Sequence, residues 1–342
     1  MDNRKNLLVT LADKKYILLA KQLFSSVYWN AGWEGDYMLL SHEIPEEDLK
    51  WFRDKEILIM ECKPLHTNTI NYYPPVVLDK YYLFTEAFKK WKNIVFLDAD
   101  IIVKAPLERL TKIKYLGATR DINFSKLYTQ FYNPSKDNFN NRIYNLNDYI
   151  LNSGVISFNT DIITPQTFKE LNNLLNDYIS EFKYGEQPVL NLYFYKKWER
   201  LPLVYNTFLM VHNYKLPLGL KCIVMHFISD PLRYYLWDAT HPFYKEWKMN
   251  LDKAEFIDLN KIQKVKEWNT FKITYYAVLS KIISPQPVRV IIQICYAIPG
   301  KLRTFIYYII YTPDRILGTI GNFIKKKRPD LYHKLRKIKD GK

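Results

Sequence analysis

The segment IVFLDAD, Ile94 to Asp100, decides how the chain is read. Four apolar residues in a row, Ile94 to Leu97, suit a strand buried on both faces of a sheet, and the run ends in Asp98-Ala99-Asp100. In open α/β sheets ligands bind beyond the carboxyl ends of strands, so paired acids at this address are placed for chemistry. Residues two apart in an extended chain project to the same face, where both carboxylates can share one hard cation, Mg²⁺ or Mn²⁺. The plainer alternative is a solvated strand end. Ile94, Val95, Phe96, Leu97 and Ala99 argue instead for a rigid, buried presentation of the acids.

Working outward, Leu7 to Leu11 is a second short apolar run, and Ile17, Ala20, Phe24 and Val27 then repeat at helical spacing over Tyr16 to Trp29. Tyr37 to Leu40, a helix after Pro45 with Glu46, Glu47 and Asp48 in its first turn, and Ile57 to Cys62 continue the alternation. Strands alternating with helices predict a doubly wound sheet. Val76 to Phe88 has helical periodicity, and Tyr115 to Thr119 and Val155 to Phe158 read as strands. Asp121 to Tyr149, rich in Asn and Tyr, reads as a lid. Thr164-Pro165 predicts a helix start running to about Ile179, and Ile223 to Phe227 is the clearest of the short strands after Trp198.

The 342 residues, 48% of them hydrophobic, can build a sizeable core, and 28 Tyr with 19 Phe supply aromatic surface for packing or stacking. The net charge of +15 is concentrated in the tail: Phe271 to Lys342 holds 15 Lys/Arg against three Asp, leaving the first 270 residues nearly neutral. Three widely spaced cysteines, Cys62, Cys222 and Cys295, give neither a disulfide framework nor a C-x-x-C zinc site. With no apolar signal core near the N-terminus, the sequence predicts a cytoplasmic enzyme.

The stretch LDKYYLFTEAFKKWKNIVFLDADIIVKAPLERL, Leu78 to Leu110, resembles the donor-site block of family 8 glycosyltransferases, the group of glycogenin and the bacterial lipopolysaccharide galactosyl- and glucosyltransferases. Further motifs follow the family's order. VTLADKKY (Val9 to Tyr16) resembles its nucleotide-binding turn, LNSGVISFN (Leu151 to Asn159) its N-[SA]-G-V strand, GEQPVLN (Gly185 to Asn191) its D-Q-x-x-L-N helix, and VMHF (Val224 to Phe227) its metal-binding histidine motif. The resemblance spans roughly residues 6 to 240 and implies a GT-A fold: one Rossmann-like domain with a mixed, mainly parallel sheet. It implies Mn²⁺ held by Asp98, Asp100 and His226, and a UDP-sugar lying against Thr10, Leu11, Ala12, Tyr16, Lys80, Asp98 and Ala99. Asn152, Glu186 and Gln187 would meet the transferred sugar, Asp121 would lie near donor and acceptor, and the transfer would retain anomeric configuration. The product would be a glycan or glycolipid extended by a hexose, glucose or galactose.

The residues themselves support part of this. An imidazole among carboxylates shifts preference from Mg²⁺ toward Mn²⁺, although His226 also reads as a core histidine. Tyr16 suits stacking on a uracil ring or plain packing, and Lys80 suits a phosphate or a solvated helix face. Two departures stand out. Glu186 replaces the family's Asp, and HFISDPLRYYLW (His226 to Trp237) lacks the glycine, lysine and proline of the glycogenin branch, leaving Arg233 as the substitute phosphate cation. Glu186 is also the candidate nucleophile if the retaining reaction is a double displacement instead of a same-face attack.

The expected domains are residues 1–250, catalytic, and 251–342, a mainly helical basic extension. Val288 to Tyr311 and Lys325 to Lys342 alternate apolar and basic clusters, broken by Pro285, Pro287, Pro299 and Gly300, too short to span a bilayer. Such segments suit an anionic membrane surface, on the inner face for a cytoplasmic enzyme, or packing on the enzyme itself. Nucleic acid is not expected as a partner, because no binding motif accompanies the charge. The rival readings are a peripheral membrane protein on a degenerate GT-A domain and a haloacid-dehalogenase-type phosphotransferase. Ile102 stands where the latter needs Thr or Val.

Overall fold

The computed structural model describes residues 4–70, 73–121, 125–134, 143–208, 220–227, 239–265 and 267–283. The expected α/β architecture is present. Strands β1 (Leu7–Ala12), β2 (Asp36–His42), β3 (Leu58–Cys62), β4 (Asn93–Leu97), β6 (Leu116–Arg120), β7 (Leu151–Asn159) and β8 (Trp198–Arg200) form one sheet in the order β3-β2-β1-β4-β7-β6-β8. All its ladders are parallel except those that β7 makes with β4 and β6, so the sheet is mixed and mainly parallel. A small sheet joins β5 (Ile101–Val103), β10 (Val224–His226) and β9 (Thr207–Phe208) in the order β5-β10-β9.

Alternation along the strands divides the core in two. Leu8, Leu39, Val95, Leu97 and Val155 face the helix α1 (Ile17–Ala31), whose buried Ala20, Leu23, Phe24 and Val27 cover them. Leu7, Val9, Ile94, Phe96, Ile156 and Phe158 face the other way, toward Leu171 and Leu175 of α3 (Thr167–Tyr178) and Val189 and Leu190 of α4 (Gln187–Tyr193). The remaining helices are α2 (Glu46–Asp54), α5 (Tyr244–Lys253) and α6 (Thr270–Ile283). Gly32 ends α1 at φ 59, the left-handed conformation that glycine adopts without strain. The expected division at residue 250 falls within α5, and beyond it Ala254, Ile257 and Ala277 bury into the same core cluster as α1.

Three local expectations are corrected. Val76 to Phe88 is not an α-helix but two 3₁₀ segments, Pro75–Phe84 and Glu86–Lys90, separated by extended Thr85. Val76, Leu78, Lys80, Tyr81, Leu83 and Phe84 are buried on all sides, so this segment threads through the core without an outward polar face. The third helix is regular only from Thr167, three residues after Thr164, which caps the turn between them: the Thr164 N–H donates to Thr167 Oγ1 at 2.9 Å and the Gln166 N–H to Thr164 Oγ1 at 3.3 Å. Lastly, Asp98-Ala99-Asp100 is not extended. The chain turns there, leaving the main sheet after Leu97 and entering the small sheet at Ile101.

Candidate functional site

The turn does what strand geometry was expected to do. Asp98 stays at the end of β4, while Asp100 leads into β5, which pairs antiparallel with β10 in a register that sets His226 opposite Ile101. Single ligand atoms from Asp98, Asp100 and His226 all lie within 4.8 Å of one another. His226 Nε2 is 3.3 Å from Asp100 Oδ1 and 3.8 Å from Asp98 Oδ2. His226 and Asp100 are buried and Asp98 is partly open. Gly154 of β7 makes the convergence possible: a β-carbon there would lie 2.2 Å from His226 Cε1 and 2.8 Å from Asp98 Oδ2.

Lys80 comes in from the 3₁₀ segment with its ammonium buried. It donates to Asp98 Oδ1 at 3.0 Å, to the Ser153 carbonyl at 3.2 Å and to Glu186 Oε1, and lies 4.6 Å over the Phe96 ring. Burial alone would lower its pKa, but the carboxylates of Asp98 and Glu186 outweigh this and hold it above the ordinary lysine value. Burial raises the Asp98 carboxyl above its ordinary value, and the like charges of Asp100 and Glu186 add to this against the pull of Lys80 and His226.

The donor set fits a divalent cation. The site holds three carboxylates, Asp98 and Glu186 on the Lys80 ammonium and Asp100 beside His226, against that one ammonium, so negative charge is in excess. Hard oxygens joined by one imidazole nitrogen suit a divalent ion of the first transition row or Mg²⁺.

The sugar-side residues form a network. Asn152 Nδ2 donates to Asp121 Oδ1 at 2.9 Å and Gln187 Oε1 at 3.3 Å, and Gln187 Nε2 reaches Asp121 Oδ2 at 3.3 Å. Ser153 Oγ donates to Glu186 Oε1 at 2.7 Å, and the Tyr81 hydroxyl donates to the Glu186 carbonyl at 3.0 Å. Asp121, Asn152, Glu186, Gln187, Lys80, Asp98, Asp100 and His226 thus share one connected site.

The nucleotide-side residues are less uniform. Thr10 is wholly buried, and its hydroxyl donates to the Leu97 carbonyl at 2.8 Å, tying β1 to the end of β4. Ala12 is buried, Leu11 is half-buried against the core, and Tyr16 packs on the cluster containing Leu19, Ala99 and Met225. Arg233 lies outside the described residues. Sequence reasoning missed Asn206, whose Oδ1 is 2.8 Å from His226 Nδ1. Nothing in the local pattern PLVYNTF singles it out. Ser153 and Gly154 lie inside a quoted motif, but their roles appear only when the strands are assembled.

A sequence profile of glycosyl transferase family 8 matches residues 7–247. No curated protein matches the chain. Among solved structures, an active-site mutant of LgtC is similar at TM-score 0.56 and 16% identity, over 72% of this chain and 95% of that one. The galactosyltransferase LgtC in complex with donor and acceptor sugar analogs gives 0.52 at 16% identity over the same shares, 72% and 95%. The bifunctional glycosyltransferase WbbM, in its apo form, gives 0.50 at 15% over 73% of this chain, which spans only 52% of WbbM. GlyE of Streptococcus pneumoniae TIGR4 gives 0.50 at 18%, covering 77% of this chain and 66% of GlyE. Identities this low speak to fold, and the mixed, mostly parallel sheet with its flanking helices is the GT-A form. The profile match covers well over half the sequence, so the chain belongs to glycosyltransferase family 8 and is a glycosyltransferase.

Proposed function

We propose that this enzyme moves a hexose, glucose or galactose, from a UDP-sugar to a glycan or lipid-linked glycan with retention of configuration, using Mn²⁺ held by Asp98, Asp100 and His226. The observation that carries the reading is the convergence of those three side chains within 4.8 Å, beside a buried Lys80 and Glu186. Bound there, the ion would neutralise charge developing on the leaving diphosphate.

The chain's own groups divide the remaining work. Lys80 is held charged between Asp98 and Glu186 and supplies a fixed cation at the edge of the phosphate site. The bonds from Lys80 and Ser153 both fall on Glu186 Oε1, which aims the carboxylate and leaves Oε2 as the oxygen to meet the sugar. Asp121 and Gln187, braced on each other and on Asn152, are set to orient sugar hydroxyls. The haloacid-dehalogenase reading has no support, since the Asp pair converges on His226 and the chain belongs to a glycosyltransferase family.

Attachment to an anionic membrane surface is part of the proposal. No helix among the described residues is long and apolar enough to cross a membrane. Helix α6 buries Ala277 and Ser280 yet exposes Phe271, Val278 and Ile282, which supports surface contact where the basic tail begins. The tail after Ile283 lies outside the described residues.

The test is UDP release from a panel of UDP-sugars with Mn²⁺ or chelator, comparing wild type with Asp100→Ala. Release that requires Mn²⁺ and is lost in the variant supports the donor half and names the sugar. No release and no calorimetric binding of any UDP-sugar would overturn it.

A further inference from the structure

Asn152 occupies the hinge between the two halves of the site, and all four of its amide hydrogen-bonding positions are used. Its Nδ2 donates to the Asp121 carboxylate at 2.9 Å and to Gln187 Oε1 at 3.3 Å. Its Oδ1 accepts from the Gly154 N–H at 3.0 Å and from Asn206 Nδ2 at 2.8 Å. Two of these partners have no choice of role. A carboxylate only accepts and a backbone N–H only donates, so Asp121 and Gly154 together fix which end of the Asn152 amide is nitrogen.

With Asn152 Oδ1 an acceptor, the Asn206 group facing it must be the NH₂, which turns Asn206 Oδ1 toward His226 Nδ1 at 2.8 Å. An oxygen acceptor requires the proton on Nδ1. The neutral ring then carries its lone pair on Nε2, the atom facing Asp100 at 3.3 Å and Asp98 at 3.8 Å. Two acceptors facing one another across that gap repel unless a cation sits among them.

We propose that Asn206 is a positioning residue: through the chain Asp121–Asn152–Asn206 it holds His226 in the Nδ1–H tautomer, with Nε2 presented to a divalent cation. The proposal rests on the metal reading above for its use, but the tautomer is a property of the protein alone. It also joins the sugar side to the metal side, because Asp121 and Gln187 anchor the Asn152 amide, which in turn orients Asn206 against the histidine. Partners of this kind, one bond behind a ligand, typically change metal affinity by about 10- to 100-fold when removed.

The experiment has two readouts on the full-length protein. Ring-nitrogen NMR without metal at about pH 8, with His226 assigned by its loss in His226→Gln, reports the tautomer. Calorimetry with Mn²⁺ alone reports affinity. The wild type should show Nδ1–H. Asn206→Leu should shift the ring toward Nε2–H and weaken Mn²⁺ by about 10- to 100-fold. Asn206→Asp, which keeps an acceptor on Nδ1 while losing the donor to Asn152, should restore the tautomer and most of the affinity. An Nε2–H ring or an imidazolium in the wild type overturns the proposal without any variant needing to fold. Unchanged tautomer and affinity in folded Asn206→Leu overturns it as well. A wild type that shows Nδ1–H but binds no Mn²⁺ supports the relay and strikes the metal assignment instead.

Discussion

Gly154 and His226 are in such close approach that a β-carbon on the glycine would fall 2.2 Å from the imidazole Cε1 and 2.9 Å from its Nδ1. The ring is buried, with Phe208 against it and Asn206 on its Nδ1, so it has no cheap way to retreat. Gly154→Ala should therefore push His226 out of line with Asp98 and Asp100. Overpacking of this kind costs about 1–3 kcal/mol of stability. Metal-dependent UDP release should fall by about 100-fold, the order seen when a 1 Å misplacement reaches the reacting groups. Urea melts beside initial rates check this: a variant destabilised by that amount yet fully active would refute the steric account.

Lys80 balances two carboxylates at once, buried Glu186 and partly open Asp98. Lys80→Met leaves Asp98 and Glu186 without their shared cation, and removing one partner of a buried pair costs about 3–5 kcal/mol. The loss should be smaller in Mn²⁺, because the ion would supply part of the missing charge beside Asp98. Denaturant midpoints with Mn²⁺ and with chelator measure both. An identical loss in the two conditions would show that Asp98 does not face the ion.

Thr10 is spent on structure: its hydroxyl reaches the carbonyl of Leu97, the residue before Asp98. Thr10→Val keeps the shape and orphans that carbonyl, so stability should drop by about 1–3 kcal/mol. The test is the urea midpoint at constant m-value; no change would mean that the bond carries nothing net.

Burial pushes the Cys222 thiol up to about 11, with Lys104 opposing and Glu246 assisting. At about pH 8 the native thiolate is scarce, so iodoacetamide should label Cys222 slowly in the folded protein and rapidly in urea. The raised value also sets the sign of its linkage to folding. Its contribution is fully present below the unfolded thiol pKa and is lost as pH climbs through the folded value of about 11. Mass spectrometry of the labelled peptide decides. Rapid native labelling at Cys222 would contradict both the burial and the shift.

Much of the main sheet was legible because buried strands must be apolar: Leu7 to Leu11, Tyr37 to Leu40 and Ile94 to Leu97 each fall inside an observed strand. The 3₁₀ segment was not, since most of Val76 to Phe84 is buried and periodicity distinguishes helix types only when one face is wet. The helix near Thr164 was legible from its cap, although the regular α-helix begins only at Thr167, after the turn that Thr164 and Thr167 close. At the site, Asp98, Asp100 and His226 were identified by residue type and motif order, and they do converge. The reason given for the two acids was wrong, as a turn and not an extended strand brings them together.

The sequence by itself determined the strand and helix alternation and the family, because burial demands and ordered motifs are written in residue type and spacing. Tertiary structure decided everything that depends on angle and approach. Pairing of β5 with β10 sets His226 beside acids 126 residues or more upstream, a relation that no local spacing encodes. Glycine at 154 matters only because a ring from another sheet lies against it. Asn206 acquires its place because hydrogen bonds are directional, and one carboxylate and one backbone N–H dictate the orientation of every amide between them and the histidine.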